Sequence, residues 1–100
     1  MERTFIIDEQ AKQLIVFARD NIKQNNVNEL LAGKFENIKK SQGSHAEEYL
    51  SDVIGRVKTR ERQHRMHEGP NCMNVTACEV VVNAFDEWLY KKDSEIYKQF

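Results

Sequence analysis

The sequence predicts an all-α protein, a compact bundle of about four helices, and three observations carry that reading. Four segments repeat apolar residues at the i, i+3, i+4 spacing of a helix face. Two of them open on a Ser/Thr-x-x-Glu pair, the spacing of a capping box. The stretches between them are short, as expected for helices that pack on their neighbours. With 100 residues the chain can bury one core, so residues 1–100 form a single helical domain. Residues 93–100 are either a continuation of its last helix or a C-terminal docking tail.

Thr4 to Ile7 reads as a short extended lead-in, and Asp8 as the N-cap of the first helix, with Glu9 placing negative charge at its positive end. Ala11, Leu14, Ile15, Ala18 and Ile22 form its core stripe with Phe17 at the margin, and the pattern fades at Asn25-Asn26. Val27, Leu30, Leu31, Phe35 and Ile38 predict a second helix carried across Gly33, a residue that costs about 1 kcal/mol relative to alanine and leaves room for a break. Ser41-Gln42-Gly43-Ser44 is a turn, after which Ser44 and Glu47 cap a third helix with Ala46, Leu50, Val53, Ile54 and Val57 on its apolar face and Tyr49 at one edge.

Beyond Val57 the same face brings up Glu61, His64 and Glu68, so burial should stop about halfway along that helix. Gly69-Pro70-Asn71 closes it. The fourth and central helix is predicted from about Thr76 to Tyr90, with Thr76 and Glu79 as a capping box and Val75 and Val80 as a hydrophobic staple. Its broad apolar face holds Cys78, Val81, Val82, Phe85, Trp88 and Leu89, and the core should centre on the last three.

Charge narrows the functional classes. Fifteen Lys and Arg against 16 Asp and Glu give a formal net charge of −1, so no whole-molecule field marks a generic nucleic-acid or membrane binder. Phe5-Ile6-Ile7 is too short for the apolar core of a secretory signal, and no run approaches the ~20 apolar residues of a membrane span. A cytoplasmic protein is expected, with no membrane partner and with Cys72 and Cys78 as reduced thiols.

The one strong local signal is Arg56-Val57-Lys58-Thr59-Arg60-Glu61-Arg62-Gln63-His64-Arg65-Met66-His67. Arg56, Lys58, Arg60, Arg62 and Arg65 are the candidate residues for an anionic partner, since arginine suits bidentate recognition of carboxylate or phosphate. The competing reading is a solvated helix end whose cations complement the dipole. Aromatic side chains for base stacking are missing from this segment, which tells against single-stranded nucleic acid.

His64, His67 and Cys72 are the candidate metal ligands, with Glu61 and Glu68 as carboxylate alternatives and Cys78 turned toward the core, but the spacing is not that of a zinc finger, and no metal or other cofactor is expected. Cys78 lies in a first helical turn, which favours a thiolate, yet on an apolar face, which opposes one. Phosphate loops, nucleophile elbows and paired core-facing carboxylates are missing from the sequence, and catalytic residues are therefore not assigned.

Tyr49-Leu50 followed by Val53 and Val57-Lys58, a small-residue linker, and then Glu79-Val80 ahead of Ala84, Phe85 and Asp86-Glu87 form a layout from about Phe35 to Leu89. That layout resembles the PcfK-like family of small proteins carried by conjugative plasmids and related mobile elements. The chain departs from the family in its long basic insert through His67. The resemblance implies a helical accessory protein of a mobile element, and no family active site to carry over. The functional expectation is thus a non-catalytic interaction module that binds a protein partner; the alternative is a nucleic-acid binder using Arg56 to His67. Self-association into a homodimer through Ile96, Tyr97 and Phe100 is a further expectation, because a small domain gains by burying an apolar tail in a second copy.

Overall fold

Four α-helices, α1 (Glu2–Asp20), α2 (Val27–Gln42), α3 (Ala46–Glu68) and α4 (Met73–Lys98), make up the chain, with a 3-10 turn (Gly43–His45) between α2 and α3. The computed structural model describes residues 2–69 and 71–98, and the side chains of residues 5–69 and 71–90. Among the described residues there is no strand, and the fold is an all-α bundle. Helices α3 and α4 are antiparallel neighbours across the Gly69 turn, and each also packs on both α1 and α2. Contact between α1 and α2 is sparse; it includes Lys34, whose Nζ sits 4.8 Å from the centre of the Phe17 ring. The outcome is a flat molecule, 47 × 36 × 18 Å.

The core follows the helical stripes. Leu14, Leu31, Phe35, Leu50, Val53, Val57, Val75 and Val81 are fully buried, and one cluster joins residues of all four helices. Phe35, Phe85 and Trp88 meet at its centre: the two phenylalanine rings lie edge to face at 5.5 Å, and Trp88 is 5.7 Å and 6.0 Å from them. Such aromatic geometry contributes beyond the area it buries. Trp88 Nε1 donates to Glu36 Oε1 at 2.9 Å, so the indole N–H is satisfied without leaving the core. Leu89, expected at the centre, is only partly buried at its edge.

Helix boundaries depart from the sequence expectations where packing overrides local signals. Helix α1 begins at Glu2 and includes residues 4–7, because Ile7 continues the stripe of Ala11, Leu14 and Ala18 and is buried with them. Asp8 is therefore not an N-cap but a mid-helix residue with a long-range partner. At the other end Asn21 closes α1, its side-chain N–H₂ donating to the Phe17 carbonyl at 2.8 Å. Helix α2 runs unbroken through Gly33.

Neither predicted capping box forms. Ser44 falls in the 3-10 turn, so α3 starts two residues later at the buried Ala46. Thr76 lies inside α4, which starts at Met73 because Val75 is buried against the core. The Thr76 hydroxyl donates back to the Cys72 carbonyl at 3.4 Å, and Glu79 is engaged by Arg65. The staple of Val75 and Val80 goes with the box, since both residues are helical.

Gly43 and Gly69 end α2 and α3 with φ of 64° and 91°, a backbone region that strongly favours glycine. Their N–H groups bond back to Lys39 and Arg65 carbonyls. Helix α4 continues past Asp93-Ser94 to Lys98, so there is no separate tail before that residue.

Candidate functional site

Helix α3 is divided by charge. Glu47, Glu48 and Asp52 come before Arg56, Lys58, Arg60, Arg62 and Arg65 along it, an order that complements the helix dipole although Glu61 and Glu68 interrupt and end the basic run. Val57 is the last buried residue of the apolar stripe, as the sequence predicts. One turn further on the stripe is continued by Arg60, Glu61 and His64, all half-buried.

That continuation sorts the five basic residues into two groups. Arg60 Nη2 donates to Asp8 Oδ2 of α1 at 2.7 Å, and its Nε is buried with no hydrogen-bond partner. Arg65 Nη2 reaches Glu79 Oε1 of α4 at 2.8 Å and Glu61 Oε2 at 3.8 Å. These two residues tie α3 to α1 and α4, and their charge is spent inside the chain. Of the five candidates for an anionic partner, Arg60 and Arg65 thus have carboxylate partners within the chain. Arg56, Lys58 and Arg62 are exposed and make no ion pair among the described residues. Lys58 and Arg62 stand four residues apart on one side of α3. Arg56 instead lines a groove of about 320 Å³ with Ile7, Ser51, Asp52, Gly55 and Thr59.

Met66, one turn beyond Arg62, is 83% exposed. Sequence reasoning passed over it, although its position opposite the apolar stripe was the available signal. An exposed methionine beside cations supplies the apolar contact that a charged patch alone lacks.

The candidate metal ligands do not converge as a set. Glu68 Oε2 accepts from Cys72 Sγ and, at 3.4 Å, from Asn74 Nδ2, and lies 3.4 Å from His64 Nδ1. These partners hold the Glu68 carboxyl below its ordinary pKa, the Cys72 bond most and the Asn74 bond next. His67 is exposed and takes no part. Among the described residues no group of three or more His, Cys, Asp or Glu is placed to hold a metal ion.

Cys72 and Cys78 are both free thiols. Burial, aided by the nearby Glu61, pushes the Cys78 thiol up to about 11. Because α4 starts at Met73, Cys78 lies beyond the first turn where the sequence placed it, and its apolar face makes the thiol inert. The self-association residues Ile96, Tyr97 and Phe100 lie outside the described side chains.

Compared with family models, curated proteins and solved structures, the chain matches none. The class its fold defines is an all-α helical bundle, and no helix among the described residues is long and apolar enough to cross a membrane.

Proposed function

We propose that the chain is a non-catalytic helical interaction module that binds a protein partner through the exposed basic half of α3. The observation that carries this reading is the pair Lys58 and Arg62 on one side of α3, exposed and without ion pairs among the described residues, beside a methionine that is 83% exposed. Acidic protein surfaces supply both complements, carboxylates for the cations and apolar side chains for Met66. The resemblance to PcfK-like proteins supports an accessory role on a mobile element, in the cytoplasm.

Nucleic acid is the less favoured partner because of the split among the basic residues. With Arg60 and Arg65 held by carboxylates, and Arg56 turned toward the groove, only Lys58 and Arg62 share a side. Two phosphate contacts give a slope of log K against log salt of roughly −2, and so few released counterions supply little affinity. The test is a gel-shift and fluorescence-anisotropy series against single- and double-stranded DNA and RNA, and against a poly-glutamate peptide. Binding of the acidic peptide that is lost when Arg56, Lys58 and Arg62 become glutamine supports the proposal. Nucleic-acid binding that persists at moderate salt and is lost in the same variant overturns it.

A further inference from the structure

Helices α1 and α2 both pack on α3 and α4 but hardly on each other, and a groove of about 430 Å³ runs along α1 with Lys34 of α2 at its edge. Small-molecule sites typically measure about 300–1,000 Å³. The basic residues of α3 take no part in its lining. Apolar and polar groups are sorted along it. Buried Leu14, the half-buried ring of Phe17 and exposed Val16 make its apolar middle. Lys34 Nζ sits 4.8 Å from the centre of that ring, exposed and in no ion pair among the described residues. A ring face attracts a cation without neutralising it, so the Lys34 charge stays available to an anion. Toward the start of α1 the groove is lined by Gln13 and Gln10, whose amides have no hydrogen-bond partner among the described residues.

A free cation, an apolar middle and two free amides thus follow one another along one helix. We propose that this groove is a small-molecule site for a hydroxy-substituted aromatic carboxylate, with the carboxylate on Lys34, the ring against Leu14, Val16 and Phe17, and the hydroxyl among the Gln13 and Gln10 amides. Charge sets the direction of the ligand. Asp20, one turn beyond Phe17 and 3.9 Å from Arg19, lines the opposite end and repels a carboxylate, so the rest of the molecule runs from Lys34 toward Gln13 and Gln10. Those two residues lie about 6 and about 10 Å along the helix from Phe17, a span that one substituted ring with a short acid arm covers. Lys12, the other cation of the lining, is 4.0 Å from Glu9 in an exposed pair, which leaves Lys34 as the better seat for the acid.

Each part of the ligand answers a group that the chain leaves unused. An aliphatic acid would meet Lys34 and forgo both amides, and a neutral phenol would do the reverse. Lys34 and Gln13 are exposed, so bonds to them replace bonds to water and affinity is modest. This site goes beyond the protein-binding reading of α3 and does not depend on it.

The experiment is a titration of the full, isotope-labelled chain with para-hydroxycinnamate up to millimolar concentration, followed by amide NMR shifts. Saturable shifts confined to the Gln10 to Asp20 stretch and the turn around Lys34 support the site. Lys34→Gln should weaken binding about fivefold, as for an exposed ion pair. Replacing Gln10 and Gln13 together by alanine should weaken it about threefold. Cinnamate, which lacks the hydroxyl, should bind the wild type about threefold less tightly and be indifferent to loss of the two amides. Gln13→Trp fills the groove from an exposed position, so it should abolish binding while circular dichroism keeps its helical form. No saturable shift, shifts centred on Arg56, Lys58 and Arg62, or unchanged binding by Lys34→Gln or Gln13→Trp overturns the proposal. Poly-glutamate peptide that shifts the same α1 signals where the aromatic acid does not assigns the groove to a protein partner and overturns it too.

Discussion

Arg60 of α3 and Asp8 of α1, 52 residues apart in sequence, are joined by a 2.7 Å ion pair whose side chains retain 24% and 39% exposure. The pair stands where the apolar stripe of α3 gives out, so it continues the α1 contact by charge. Partial exposure screens it, and a double-mutant cycle of Asp8→Ala and Arg60→Ala should give a coupling of about 0.5–1 kcal/mol. Arg60→Glu should cost more, about 2 kcal/mol, because it sets a second carboxylate against Asp8. Chemical denaturation of the four proteins checks both. Zero coupling would make the contact incidental.

The same pair shows what a sequence can and cannot say about this chain. Apolar periodicity placed Leu14, Phe35, Val53, Val57 and Val81 in the core because each element buries one stripe, and a stripe is a local pattern. Val57 as the last buried residue of α3 is legible for the same reason. The pairing of Asp8 with Arg60 depends on which helices become neighbours. An aspartate ahead of an apolar run therefore looks like a cap until α3 is laid beside it. Thr76 and Ser44 misled in the same way: a Thr-x-x-Glu or Ser-x-x-Glu spacing is satisfied as easily inside a helix as at its start. Of the basic segment, the existence of a patch was readable and its division was not, since Arg60 and Arg65 differ from Arg56 and Arg62 only in what lies across from them.

Trp88 closes the aromatic centre with Phe35 and Phe85, and truncation there removes both packing and the bond to Glu36. Trp88→Ala should cost about 3–5 kcal/mol, a large share of the stability of a domain this size. Trp88→Phe keeps a ring and should cost much less, about 1–2 kcal/mol. Thermal melts followed by circular dichroism distinguish the two. An Ala variant that melts near the wild type would show that the ring is not central.

The Cys78 thiol gives a pH dependence with a definite sign. Burial raises it from its ordinary 9.0 to about 11, so the unfolded chain loses this proton at a lower pH than the folded one. Below pH 9 the thiol is neutral in both states and contributes no slope. Between about pH 9 and 11 the unfolded state is favoured progressively, and stability falls. Cys78→Ala should remove that part of the alkaline slope. In the native protein near pH 8, a thiol reagent should modify Cys72 and leave Cys78, which is fully buried, until the chain unfolds. Equal rates at both cysteines would contradict the burial.

Two glycines should respond to the same substitution with opposite signs. Gly33 lies in the middle of α2, exposed, with nothing within 4 Å of an added β-carbon. Alanine there meets no obstacle and has the higher helix propensity, so Gly33→Ala should stabilise the protein by about 0.5–1 kcal/mol. For a domain of this size that is a rise in Tm of roughly 2–8 °C. Gly43 also has open space around it, but its φ is 64° and its N–H caps α2 on the Lys39 carbonyl. Any side chain there is strained by the backbone whatever the room, so Gly43→Ala should lower stability by about 1 kcal/mol. Thermal melts of the two variants beside the wild type give the comparison directly. Destabilisation by Gly33→Ala would mean that α2 is not regular at that point, and a neutral Gly43→Ala would mean that the α2 to α3 turn is not held in the left-handed conformation.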